Sequence, residues 1–110
     1  MSMIKVHIDF SIFTKEAAFG MISGSLTLPV APQIGDAIAF RISKKVEAYL
    51  GQLPFGGYLR VTRRLIGADA DLGILLTLED VTAATSDDAQ RLVSALEESY
   101  GLFGDVWENQ

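Results

Sequence analysis

Cysteine is absent from the 110 residues, and histidine and tryptophan occur once each, as His7 and Trp107. Without thiols the chain has no disulfide and no thiolate metal site, so its stability must come from packing, and a reducing cytoplasmic setting is expected. One histidine without cysteine leaves oxygen ligands as the remaining donors, which favours calcium or magnesium over zinc. No run approaches the ~20 apolar residues of a spanning helix. Met1-Ser2-Met3 gives way at once to Lys5, His7 and Asp9, unlike the apolar stretch of a signal peptide, so no membrane association is expected.

Sequence signatures of catalysis are equally scarce. No Gly-x-Ser-x-Gly elbow supplies a nucleophile, and a Ser-His-Asp arrangement would have to use His7, which alternation places on the polar face of a strand. The segment Gly20-Met-Ile-Ser-Gly24 lacks the lysine of a phosphate-binding loop, and nothing matches Gly-x-Gly-x-x-Gly before a helix. Asp69 and Asp71 stand two apart in a Gly-Ala-Asp-Ala-Asp-Leu-Gly loop, but the third ligand, central glycine and terminal glutamate of a calcium loop are missing. Glu79, Asp80, Asp87 and Asp88 occupy positions where acids commonly serve solvation and the helix dipole. The expectation is a non-enzyme without metal or cofactor.

What the chain does have is apolar content and divided charge. Apolar residues make up 49% of it, high for a domain that buries roughly two thirds of its unfolded surface, so either apolar surface is left for a partner or a second copy, or small alanines inflate the count of a well-filled core. The net charge of −5 is unevenly spread. Residues 1–66 carry eight Lys or Arg against four acids, whereas residues 67–110 carry Arg91 against ten. Overall acidity argues against general binding to nucleic acid, although a local basic patch survives.

The patterning predicts one domain over residues 1–110. Ile4, Val6, Ile8, Phe10 and Ile12 alternate with Lys5, His7, Asp9 and Ser11, as in a half-buried strand. A turn at Thr14–Ala17 and β-forming residues from Phe19 to Val30 complete a hairpin, with Gly20 and Gly24 at bends or bulges. Pro29 and Pro32 stop that strand, Gly35-Asp36 turns the chain, and Ala37–Ile42 resumes an extended pattern. Ser43–Leu50 fits a short helix capped by Ser43, while Val46, Ala48 and Leu50 also fit alternation; the helix is favoured. Tyr58–Ile66 and Ile74–Thr82 read as a further hairpin across the Gly67–Gly73 loop, with Arg60 and Arg64 on one face and Arg63 on the other.

After Ser86 the period becomes helical. Ala89, Leu92, Val93, Leu96 and Tyr100 form one stripe, Ser86 is the cap, Asp87 and Asp88 suit the positive N-terminal end, and Gly101 ends the helix. Leu102, Phe103, Val106 and Trp107 form an apolar tail that packs either across the sheet's own open end or against another chain. Together these segments predict an α+β fold: a curved antiparallel sheet or partly open β-barrel of about five or six strands with a C-terminal amphipathic helix.

Two surfaces are candidates for contact. Arg41, Lys44, Lys45, Arg60, Arg63 and Arg64 form a basic cluster interleaved with Phe40, Tyr49, Phe55 and Tyr58, the pairing of cations and stacking rings that small barrels use on single-stranded nucleic acid. Leu102, Phe103, Val106 and Trp107 are the candidate protein interface. The stretch from Leu28-Pro29 through Pro32, Ile34-Gly35-Asp36 and Ile38, followed by Tyr58-Leu-Arg-Val61, resembles small uncharacterised bacterial SH3-like β-barrel proteins with a Pro-x-x-Gly-Asp turn. That resemblance covers about a third of the chain, implies a barrel, and brings no catalytic residue with it.

The functional expectation is a protein-interaction domain, such as a small acidic inhibitor, immunity or accessory protein, bound to a protein partner or to itself. A single-stranded nucleic-acid-binding barrel is the alternative, and a small-ligand protein or enzyme with its site at a barrel mouth is a third class.

Overall fold

Alternation along the first strand sets the plan of the molecule. In the computed structural model, which describes residues 3–40, 58–69 and 71–107, β1 (Ile4–Thr14) is the central strand of a mixed sheet. Val6, Ile8, Phe10 and Ile12 are buried on one face, and Lys5, His7, Asp9 and Ser11 occupy the other. A Thr14 turn, in which Ala17 donates its amide to the Thr14 hydroxyl, leads into β2 (Ala18–Leu28), antiparallel to β1.

The chain then reaches the far side of the sheet. β3 (Ala37–Ala39) pairs with β4 (Tyr58–Ile66), β4 pairs with β5 (Ile74–Leu78), and β5 lies parallel to β1. β6 (Val81–Ala83) continues along β1, also parallel. Helix α1 (Ser86–Tyr100) crosses one face of the sheet, and β7 (Phe103–Val106) returns antiparallel to β2. The order is β3-β4-β5-β1-β2-β7, with β6 beside β1, so among the described residues β3 and β7 are the two edges of an open sheet.

Three expectations need correction. The sheet is mixed, because β2 occupies one side of β1 by hairpin closure and the other side is filled by strands that arrive later in the chain. The described residues form seven strands, because Ile74–Thr82 divides at Glu79-Asp80 and because part of the apolar tail is itself a strand. At the division the Glu79 carboxylate turns back to accept the Arg60 amide at 2.6 Å. The helix is followed by β7, so it bridges two strands. The short helix expected at Ser43–Leu50 lies outside the described residues.

Part of the core lies between α1 and the sheet. Ala89, Leu92, Val93, Ala95 and Leu96 face Phe10, Ile12, Ile22, Val81 and Ala83, and no polar or charged side chain is buried among the described residues. Thr85, one residue before the expected cap, closes the first turn by accepting the Asp88 amide at 3.1 Å. Its backbone is extended (φ −137°, ψ 165°), which is the conformation a cap needs. Thr85→Ala is therefore expected to cost about 1 kcal/mol, readable as a shift in the urea midpoint at constant slope.

Gly101 ends the helix in the left-handed region (φ 67°), where its amide donates to the Glu97 carbonyl at 2.9 Å. The chain then doubles back so closely that a Cβ on Gly104 would sit 2.3 Å from Val93 Cγ1. Gly104→Ala should destabilise the domain by about 1–3 kcal/mol through overpacking, and thermal unfolding checks it.

Candidate functional site

Two sides of the sheet carry the residues singled out in the sequence. On the β4 side, Arg60 lies between buried Leu59 and Val61, so it projects to the face opposite the helix. Past Val61 the register slips at Thr62, which places Arg63 opposite Thr77 and Arg64 opposite the buried Leu76. Arg60 and Arg63 therefore share the open face, and Arg64 points to the helix side, reversing the arrangement that simple alternation gives.

The guanidinium groups hold the preceding loop. Arg64 Nε donates to the Pro32 carbonyl at 2.9 Å, and Arg60 Nη1 donates to the Gly35 carbonyl at 3.0 Å. The Asp36 carboxylate accepts the Gln33 amide at 2.8 Å, so the Gly35-Asp36 turn is built as its residue types suggest. Tyr58 is half exposed, with the Arg60 guanidinium 5.9 Å from its ring centre. Phe40 is buried and meets Tyr100 edge-to-face at 5.4 Å, which removes it from any stacking platform. Arg41, Lys44, Lys45, Tyr49 and Phe55 lie outside the described residues.

Candidates for catalysis are tied into the backbone or into one another. His7 Nδ1 lies 3.0 Å from Ser25 Oγ, with no carboxylate bonded to His7 among the described residues. His7, Asp9 and Ser23 line a shallow hollow of about 320 Å³ on the open face, floored by Ile8, Gly24 and Leu76. Asp69 Oδ1 accepts the amides of Asp71 and Leu72 at 3.0 and 3.1 Å, so its loop is a hydrogen-bonded turn. Asp88 sits 3.6 Å from Arg91. Among the described residues no group of three His, Asp or Glu is placed to hold a metal ion. No helix among them is long and apolar enough to cross a membrane.

At the opposite edge the apolar tail divides between core and surface. Leu102 is buried and packs over Gly24. Phe103 is 64% exposed, Trp107 40% and Val106 39%. The pairs Ser23↔Phe103, Met21↔Asp105 and Gly20↔Val106 place Phe103 and Asp105 on the open face, and Gly104 and Val106 on the helix side. Met21, itself exposed, is the cross-strand neighbour of Asp105.

The hydrogen-bonding phase of this strand decides what its outer edge offers. Trp107 donates its amide to the Phe19 carbonyl at 2.9 Å, so residues 103, 105 and 107 direct their backbone groups inward to β2. Residues 104 and 106 direct theirs outward. The Gly104 amide is occupied by Glu97 Oε2 at 3.1 Å, which leaves the Gly104 carbonyl and both backbone groups of Val106 without a partner among the described residues.

Of the candidate interface read from the sequence, Leu102, Phe103, Val106 and Trp107, the first is buried and the other three are exposed; Glu97 and Asp105, which set the charge and the hydrogen bonding of this edge, were missed. The signal for Glu97 was its place one turn before the Gly101 stop, from which the chain must reverse over the helix end. No protein-family model, curated protein or solved structure matches the chain.

Proposed function

We infer that this chain is a non-catalytic protein-interaction domain of the inhibitor, immunity or accessory type, acting in the cytoplasm and docking through the β7 edge. The observation that carries this reading is the coincidence of a sheet edge unpaired among the described residues with Phe103, Val106 and Trp107 exposed along it. Aromatic side chains beside a row of outward backbone groups supply both area and directional hydrogen bonds, the two ingredients of strand addition.

The alternative, a single-stranded nucleic-acid-binding protein, retains Tyr58, Arg60 and Arg63 on one face, but two guanidinium groups of the cluster brace the Pro32–Gly35 loop. The test of the main reading is capture from the native lysate with the intact chain and with Phe103→Ser. A stoichiometric protein retained by the first and lost by the second supports docking at β7. Equal retention by both, or capture of nuclease-sensitive nucleic acid alone, contradicts it.

A further inference from the structure

Docking at β7 leaves open which chemistry the edge selects, and its charges answer that question. Between Leu92 and Trp107 the chain carries Glu97, Glu98 and Asp105 and not one Lys, Arg or His. The last turn of α1 likewise has no basic residue. Asp105 projects to the open face at the middle of β7, and the Glu97 carboxylate lies against Gly104 on the helix side. The two faces of the edge therefore each carry a negative charge within one strand.

Resting on the β7 reading above, we propose that this edge accepts an extended segment of a partner protein bearing a Lys or Arg opposite Asp105, flanked by apolar residues. On the open face an added strand meets Phe103 and then Asp105, so its matching side chains are one apolar and one cationic, two residues apart. Its backbone is offered the Val106 amide and carbonyl and the Gly104 carbonyl. Glu97 withholds the Gly104 amide, so pairing is strongest at the Val106 end.

The same charges disfavour a second copy. Two β7 strands related by a twofold axis would bring Asp105 and Glu97 of each chain towards their equivalents, and like charges directly opposed across strands are destabilising. Acidic side chains on a short edge strand thus reject self-pairing while attracting a cationic strand.

The test uses the full chain and its single tryptophan, which stands at the end of the docking edge. The probe is a short capped peptide of β-branched residues with one central lysine. Two controls are used: the same peptide with a central glutamate, and one with the lysine kept but the backbone N-methylated. The lysine peptide should shift Trp107 emission and the Val106 amide resonance saturably, and bind more weakly as salt rises.

The glutamate and N-methylated peptides should bind at least about tenfold more weakly, for lack of charge pairing and ladder bonds respectively. Glu97→Gln with Asp105→Asn, which keeps an acceptor for the Gly104 amide, should lose up to about tenfold in affinity for the lysine peptide and gain self-association in sedimentation. Equal binding of all three peptides, or wild-type dimers formed through β7, overturns the proposal. If the lysine peptide fails while Phe103→Ser still abolishes partner capture, the interaction reading stands and the cationic specificity falls.

Discussion

Phe10→Ala should lower the unfolding free energy by about 3–5 kcal/mol, the largest loss expected of any single truncation in this domain. Phe10 is 1% exposed at the middle of β1, the strand that has neighbours on both sides and the helix across its buried face. Removing the ring deletes its transfer free energy and leaves a cavity, and neighbouring side chains cannot collapse into it without moving the sheet from the helix. Domains of this size are stable by only about 5–15 kcal/mol in total, so the variant should lose about 10 °C or more in melting temperature, or fail to fold. Retention of wild-type stability would mean that the helix does not close over β1.

Phe103→Ser should show the opposite separation of effects. Because the ring is 64% exposed, its loss should change stability by no more than about 0.5 kcal/mol. If β7 is the docking edge, an aromatic anchor there contributes about 2 kcal/mol or more, so partner affinity should fall roughly 30-fold or further. Thermal unfolding and titration of the captured partner measure the two quantities on one sample. Paired losses in both would make Phe103 a structural residue, and no loss in either would remove it from the interface.

Much of this fold was legible in the sequence, and the reasons differ by element. The phase of β1 follows from five consecutive alternations, and α1 from a stripe at Ala89, Leu92, Val93 and Leu96 closed by Gly101, each fixed by local chemistry. The parallel pairing of β1 with β5 and β6 was not legible, because it depends on where returning strands find an unpaired edge. β7 was hidden by its composition: Phe-Gly-Asp-Val contains two residues depleted in strands, and its partner β2 lies far away in sequence. The faces of the arginines were misassigned because the bulge at Thr62 carries no glycine to announce it, and a one-residue slip reverses every side chain beyond it.

The candidate site was legible in its apolar part alone. Leu102, Phe103, Val106 and Trp107 stand out in the sequence as an apolar tail that needs cover, and the structure buries Leu102 and leaves the other three exposed. The Gly101 stop marks Glu97 as lying near a chain reversal, but the hydrogen bond it accepts from Gly104 crosses that reversal, and no spacing rule says which amide it takes. It is this bond, with the outward phase of Val106, that turns an apolar tail into an edge with defined polarity.

The central claim is that partners dock on β7, and hydrogen–deuterium exchange of the chain alone and with its captured partner tests it most directly. Protection confined to residues 103–107, strongest at the Val106 amide, is the predicted result. Protection centred on Tyr58–Arg64 with residues 103–107 unchanged would contradict it and move the interaction to the arginine side of the sheet.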